Sequence, residues 1–149
     1  MLVQLLKMDD RIISFIEEQK VATICCVDEE NKPYCFSCFF AFDEQRNFLY
    51  FKTSANTKHL PLLMQNPNVA GTIQPDKLNP LAIKGLQFTG VMTENAEHAS
   101  AHYYKKYPFA LAMPGVVWAI QLDYIKMTDN TLSFGKKIIW ERKTVTVEA

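Results

Sequence analysis

The order in which strands and helices are predicted along this chain restricts its fold more than any other feature of the sequence. Runs of β-branched and aromatic residues, bounded by polar turns, predict strands at 21–27, 33–42, 47–53 and 68–74. A single short helix, within 54–66, falls among these strands, so the chain does not alternate strand and helix as a parallel βαβ sheet does. We therefore predict a mainly β fold, in which antiparallel strands close into a barrel and the helices pack outside it.

The rest of the chain completes this barrel. The further elements predicted are helices that follow the N-cap residues Asp9 and Asn95, and strands at 82–93, at 116–126 and within 132–140. A length of 149 residues suits a single domain, which we assign to 1–149 with a flexible tail at 144–149.

The charge balance argues against nucleic acid as the main partner. The 16 Lys and Arg residues equal the 16 Asp and Glu residues, whereas proteins that bind phosphate backbones carry a basic surface. No apolar run is long enough to cross a bilayer, and no segment has the pattern of a secretion signal. We expect a cytoplasmic protein with reduced cysteines that binds neither membranes nor nucleic acid.

One stretch, 45–75, contains no acidic residue. Its basic residues are Arg46, Lys52, Lys58 and His59. Lys58 lies near the start of the predicted helix, where a cation opposes the helix dipole unless an anion binds there, and the hydroxyls of Thr53 and Thr57 lie close by. The alternative is a solvated lysine beside hydroxyls that only cap the helix. Pro61 is compatible with a helix that begins near His59 or with a longer, kinked helix.

The four cysteines, Cys25, Cys26, Cys35 and Cys38, are clustered in the sequence. Cys35 and Cys38 form a C-x-x-C pattern, which occurs at thiol redox centres and at metal sites. Residues three apart on a strand point to opposite faces, however, and no second C-x-x-C completes a tetrahedral site. Structural thiols are therefore favoured and no metal site is predicted, although a turn at 35–38 followed by a helix would favour redox chemistry.

Four stretches of the sequence carry a resemblance to a known family. They are KTSANTKHLPLLMQNPNVAGTI at 52–73, IKGLQFTGVM at 83–92, VWAIQLDYIKMTDNTL at 117–132 and FGKKIIWER at 134–142. In these stretches the chain resembles the pyridoxamine-phosphate-oxidase-like FMN-binding split barrels, in particular their short YhbP-like bacterial branch. The resemblance implies a six-stranded antiparallel split β-barrel and a homodimer with FMN at its interface.

The resemblance also implies which residues bind the cofactor. These are Cys35, Phe36, Ser37 and Cys38 beside the isoalloxazine ring, Thr53, Thr57 and Lys58 at the phosphate, and Gln87 and Trp140 near the ring. Thr57 stands where many of the oxidases have arginine, and the chain has no convincing copy of the C-terminal arginine motif that closes over pyridoxal phosphate in those enzymes.

The expected function is therefore that of an FMN-binding protein that acts as a flavin-dependent oxidoreductase, not as a true pyridoxamine phosphate oxidase. Its small-molecule substrate, electron donor and catalytic residues are not identified by the sequence. Two alternatives stay open at this point. One is a flavin or haem carrier or redox sensor without turnover, and the other is a thiol or metal protein that uses Cys35 and Cys38.

Overall fold

The computed structural model describes residues 2–5, 7–94, 98–131 and 136–147. Its strands are β1 Leu2–Leu5, β2 Val21–Val27, β3 Pro33–Phe39, β4 Ala41–Asp43, β5 Phe48–Thr53, β6 Asn68–Ile73, β7 Lys84–Thr93, β8 Val116–Asp129, β9 Lys137–Glu141 and β10 Thr144–Val147. Its helices are α1 Asp10–Glu18, α2 His59–Gln65 and α3 Ala99–Lys106, with a short 3₁₀ helix at Pro108–Ala112. None of the helices within these segments has the length and apolar character needed to cross a membrane.

The strands form a curled antiparallel sheet, as the sequence predicted. The main sheet has eight strands in the order β3-β2-β6-β7-β8-β5-β4, with β9 added to the free part of β8. The main sheet therefore has two more strands than the six expected from the resemblance. One reason is that the predicted strand 33–42 breaks at Phe40 into β3 and β4, which lie at opposite ends of the strand order.

The sheet curls because β3 and β4 follow each other in the chain although they end the sheet on opposite sides. The ring centroids of Phe36 on β3 and Phe51 on β5 are 6.0 Å apart, so the two ends of the sheet meet across the interior. The interior is filled by buried apolar side chains, among them Phe40, Leu49 and Phe88. Dense packing of this kind, rather than hydrogen bonding at the split, joins the two ends.

Helix α1 packs against the core of the barrel. Asp9 is its N-cap, as predicted, and accepts a hydrogen bond from the backbone N–H of Arg11. Ile12, Phe15 and Ile16 are buried on the face that packs against the sheet.

Gly71 on β6 marks a point of close approach inside the barrel. A Cβ at this position would lie 2.3 Å from the ring of Phe88 and 2.6 Å from the carbonyl oxygen of Thr23. Only a glycine therefore leaves the Phe88 ring in the position that fills the core.

The structure adds detail to two element boundaries. Within the tail 144–149, Thr144–Val147 form a strand that pairs with Leu2–Leu5. The helix predicted within 54–66 begins at His59, so Pro61 lies in its first turn, where proline is tolerated. The predicted cap Asn95 and the start of the predicted strand region 132–140 lie outside the described residues.

Candidate functional site

The segment between β5 and α2 is a turn rather than the first turn of a helix. Residues 54–58 have no helical assignment, and Lys58 occupies the N-cap position of α2. Lys58, the cation predicted near the start of the helix, therefore lies one residue before the first helical residue, at the end of a turn. The shape of this turn depends on side-chain hydrogen bonds.

Those hydrogen bonds converge on the hydroxyl of Thr53. Its Oγ1 lies 2.7 Å from Nε2 of His59 and 3.2 Å from Oγ1 of Thr57, which in turn donates to the carbonyl of Ser54 at 3.0 Å. Each hydroxyl has one proton, so all three contacts are satisfied when His59 donates to Thr53 and Thr53 donates to Thr57. Burial lowers the pKa of His59 and so favours the neutral imidazole, in which this donor order places the proton on Nε2.

The hydrogen-bond chain gives Thr53 a structural role. Thr53 is only 7% exposed and its hydroxyl bonds within the turn, so it shapes the turn, and its contact with a phosphate stays a prediction. The backbone N–H groups of Ala55, Asn56 and Lys58 have no hydrogen-bond acceptor among the described residues, and all three residues are exposed. Backbone N–H groups left unpaired in a turn are available to an anion.

The positive charge of the acid-free stretch is concentrated at Lys58. Arg46 is paired with Asp43 at 3.1 Å, and Nζ of Lys52 donates to two backbone carbonyls at 2.6 Å each. Lys58 is exposed and makes no ion pair with any described residue, while its Nζ lies 4.6 Å from the centre of the Tyr34 ring. The cation is therefore held in place by an aromatic face and remains available to an anion.

Strand β3 lies directly against this turn. Phe36 stacks on the imidazole of His59, with ring centroids 3.6 Å apart and an interplanar angle of 8°. Cys38 packs on the same side of the strand, against the core, and burial raises the pKa of its thiol to about 12. Cys35 and Ser37 are exposed on the other side. The prediction that Cys35 and Cys38 face opposite sides is confirmed, and so is the strand that this prediction assumed.

The outer edge of β3 has backbone groups that no strand pairs with. β3 is the last strand of the sheet and pairs only with β2. Hydrogen bonds from the N–H of Asp28 to Lys32 and from the N–H of Phe40 to Lys20 fix which cross-strand pairs are hydrogen bonded. Hydrogen-bonded and non-hydrogen-bonded pairs alternate along an antiparallel ladder, so the N–H and C=O groups of Cys35 and Ser37 point away from β2, to the free edge.

A second surface lies on the exposed face of the sheet. It is a shallow depression of about 370 Å³. Its lining residues include Thr23, Cys25, Cys35, Thr72, Gln87 and Tyr124. The predicted residues Cys35 and Gln87 are therefore brought together here, on the side of β3 opposite to Phe36 and the turn.

Trp140 belongs to neither surface. It pairs with Ile125 across β8 and β9, is 5% exposed and packs in the core. Gln87 pairs with Lys126, the next residue along β8, and consecutive residues of a strand point to opposite faces. Trp140 therefore does not face this depression, and its place near the flavin ring stays a prediction.

Sequence reasoning missed Tyr34 as a site residue and assigned no contact to His59. The available signal was alternation: Tyr34 and Phe36 share a face of the predicted strand, and His59 follows Lys58 directly. For metal binding, no group of three His, Cys, Asp or Glu side chains in the described segments is arranged to hold an ion.

Comparison with known sequences gives a consistent result over almost the whole chain. A family model described as pyridoxamine 5'-phosphate oxidase matches residues 8–128. The UPF0306 protein YE0465 of Yersinia enterocolitica is 38% identical over 140 residues, which cover 90% of this chain and 95% of that protein. The UPF0306 protein YhbP of Escherichia coli is 37% identical over 142 residues, covering 93% of this chain and 96% of that protein.

Solved structures with the same fold are more distant in sequence. A haem-binding protein from Mycobacterium smegmatis superposes with a TM-score of 0.70 at 14% identity, over 85% of this chain and 55% of that chain. A FAD-binding protein from Mesorhizobium loti superposes with a TM-score of 0.63 at 15% identity, over 85% of this chain and 97% of that chain. At these identities the likeness establishes the split-barrel fold.

Proposed function

We propose a function from one premise, which is that this chain belongs to the pyridoxamine 5'-phosphate oxidase family and to its UPF0306 relatives. The proposal is that the chain binds FMN, with the phosphate at the turn 54–58. The observation that carries it is the exposed ammonium of Lys58, which has no carboxylate partner among the described residues and lies beside unpaired backbone N–H groups. A phosphate at this place would receive charge-assisted hydrogen bonds from both.

The free edge of β3 supports the placement of the flavin ring. Phe36 and Tyr34 hold this strand against the turn, through His59 and Lys58 respectively. The backbone groups of Cys35 and Ser37 that face the edge alternate donor and acceptor, as the rim of an isoalloxazine ring does. We propose that the ring lies along this edge, so that Cys35 and Ser37 act through their backbones and Phe36 through packing.

The separation of the two surfaces supports a homodimer. Gln87 lies on the exposed face of the sheet, whereas the turn lies on the other side of β3. One flavin held at the turn of one protomer does not meet Gln87 of the same protomer without bending around the strand. We propose that a second copy of the chain supplies the exposed sheet face, with the cofactor between the two copies.

Bound FMN would supply the capacity for hydride or electron transfer, and the chain would supply binding and orientation. We propose a cytoplasmic oxidoreductase whose substrate is a small molecule. His59 is half-buried and hydrogen bonded to Thr53, and burial lowers its pKa, so we propose that it orders the turn. The relative named as haem-binding gives the second candidate ligand for this fold.

Titration of the flavin-free protein with FMN tests the phosphate site. Lys58→Met keeps the length of the side chain over Tyr34 and removes the charge. We expect FMN affinity to fall roughly 10- to 100-fold, since a hydrogen bond to a charged group is worth about 1.5–3 kcal/mol. Lys32→Met is the matched control, because Lys32 is also exposed and its Nζ pairs with Glu30 at 2.9 Å. Equal affinity of the Lys58 and Lys32 variants would refute the phosphate assignment.

Two further readouts separate the candidate ligands and functions. Riboflavin lacks the phosphate, so the preference of the protein for FMN over riboflavin should be large and should shrink in Lys58→Met. A Soret band in the purified protein would move the assignment to haem. Bleaching of the flavin spectrum by a nicotinamide donor supports the oxidoreductase, and a flavin that resists every donor supports the carrier.

A further inference from the structure

Two of the four cysteines lie directly opposite each other on neighbouring strands. Cys25 on β2 is the register partner of Cys35 on β3, and both thiols are free. Both side chains line the depression on the exposed face of the sheet. This pairing is separate from the C-x-x-C pattern, because Cys38 packs against the core on the other side of the strand.

The register makes this pair suitable for a covalent link. Asp28 and Lys32 form a hydrogen-bonded pair, and hydrogen-bonded and non-hydrogen-bonded pairs alternate along an antiparallel ladder. Cys25 and Cys35 lie three pairs further along, so they form a non-hydrogen-bonded pair. In such pairs the Cα atoms are about 4.5 Å apart and the side chains approach closely. Disulfides span Cα separations of about 4.4–6.8 Å, so the two sulfurs can join without moving the backbone.

The two remaining thiols do not compete for this link. Cys26 is 1% exposed, and its thiol donates to the carbonyl of Tyr34. Cys38 is the register partner of Ala22 and lies well along the ladder from Cys26. The four cysteines clustered in the sequence thus divide into one pair on the exposed face of the sheet, Cys25 and Cys35, and two separate thiols that pack against the core.

We propose that Cys25 and Cys35 form a reversible cross-strand disulfide by exchange with a low-molecular-weight disulfide. The Cys35 thiolate attacks one sulfur of the small disulfide, whose S–S bond breaks and releases one thiolate that takes up a proton. Cys25 then loses its proton and attacks the sulfur of Cys35, which forms the cross-strand bond and expels the second small thiol. The protein pair is oxidised by two electrons, and one small disulfide is reduced to two thiols.

The environment of each thiol sets this order. Cys35 is exposed and reachable by the small disulfide, whereas Cys25 is half-buried. Burial, together with the hydrogen bond to Cys35, raises the pKa of Cys25, so less of it is the thiolate that starts the exchange. Cys25 is placed to complete the reaction once its neighbour carries the mixed disulfide.

Mass spectrometry of the whole chain tests the proposal without any cofactor, so its outcome is independent of FMN binding. The protein is incubated with oxidised glutathione, denatured and alkylated. We expect the chain to become lighter by two hydrogens, to take up alkyl groups on Cys26 and Cys38 only, and to yield a peptide linked between Cys25 and Cys35. Dithiothreitol should restore all four alkylation sites.

Single variants provide the controls. In Cys25→Ala, the mixed disulfide of Cys35 with glutathione should accumulate because no second thiol displaces it. In Cys35→Ala, glutathione should be taken up much more slowly at Cys25, while Cys38→Ala should oxidise like the original chain. The proposal is overturned if the original chain keeps four alkylatable thiols after oxidation, or if the linked peptides contain any other pair.

Discussion

Replacement of Thr53 by valine tests the hydrogen-bond chain that shapes the turn. Valine keeps the size of the side chain and removes only the hydroxyl, which lies 2.7 Å from His59 Nε2 and 3.2 Å from Thr57 Oγ1. The loss of two hydrogen bonds costs about 0.5–1.5 kcal/mol each, and the Nε2–H of His59 is left in a half-buried place without an acceptor. We expect the free energy of unfolding to fall by about 1.5–3 kcal/mol in total.

Urea unfolding measures this loss. Slopes for proteins of this size are about 1–3 kcal/mol per molar urea, so the midpoint should fall by about 1 M with the slope unchanged. Thr89→Val is the matched control, because Thr89 is exposed on the outer sheet face and exposed substitutions stay within about 0.5 kcal/mol. If Thr53→Val and Thr89→Val unfold at the same urea concentration, the hydroxyl of Thr53 does not hold the turn and the donor order assigned to His59 is wrong.

Two further predictions concern stability elsewhere in the barrel. Asp43 is fully buried, and although burial raises its pKa, the hydrogen bonds from Tyr50 and Arg46 outweigh this and lower it. The stabilisation by Asp43 is therefore complete above the unfolded pKa of about 3.9 and is lost as pH falls through the lower folded pKa. Asp43→Asn should be less stable than the original chain at pH 7, and its free energy of unfolding should change less as pH falls. Denaturation measured over a series of pH values records both effects. Gly71→Ala places a Cβ 2.3 Å from Phe88 and should cost about 1–3 kcal/mol, whereas Gly85→Ala, which meets nothing within 4 Å, should leave the melting temperature close to its original value.

The sequence was sufficient wherever one residue pattern determines the local structure. The spacing of three residues on the predicted strand 33–42 correctly assigned Cys35 and Cys38 to opposite faces, and Asp9 correctly marked the start of α1. The absence of acidic residues over 45–75 pointed to the turn that carries Lys58. These inferences need only the periodicity of a strand, the geometry of a helix cap and the sign of local charge.

The sequence was insufficient wherever the result depends on which residues pair across the sheet. Cys25 and Cys35 are ten positions apart, and only the register of the β2–β3 hairpin makes them neighbours. Trp140 is 5% exposed and packs in the core, and only the register of β9 on β8 shows which face of the sheet it occupies. A shift of one residue in register exchanges the faces of a strand, so residue types alone do not decide such questions.

Flavin binding and the chemistry of a bound flavin make different demands on this chain. Binding needs a cation, unpaired N–H groups and a flat edge of backbone, and these meet at Lys58 and along β3. Chemistry carried out by side chains needs a group free to exchange protons or electrons beside the ligand. His59 is half-buried and hydrogen bonded to Thr53, and the Cys38 thiol is buried. Among the described residues on β3, this leaves Cys35, with its neighbour Cys25, as the side chains suited to redox chemistry, so electron transfer here would rest on the flavin or on that thiol pair.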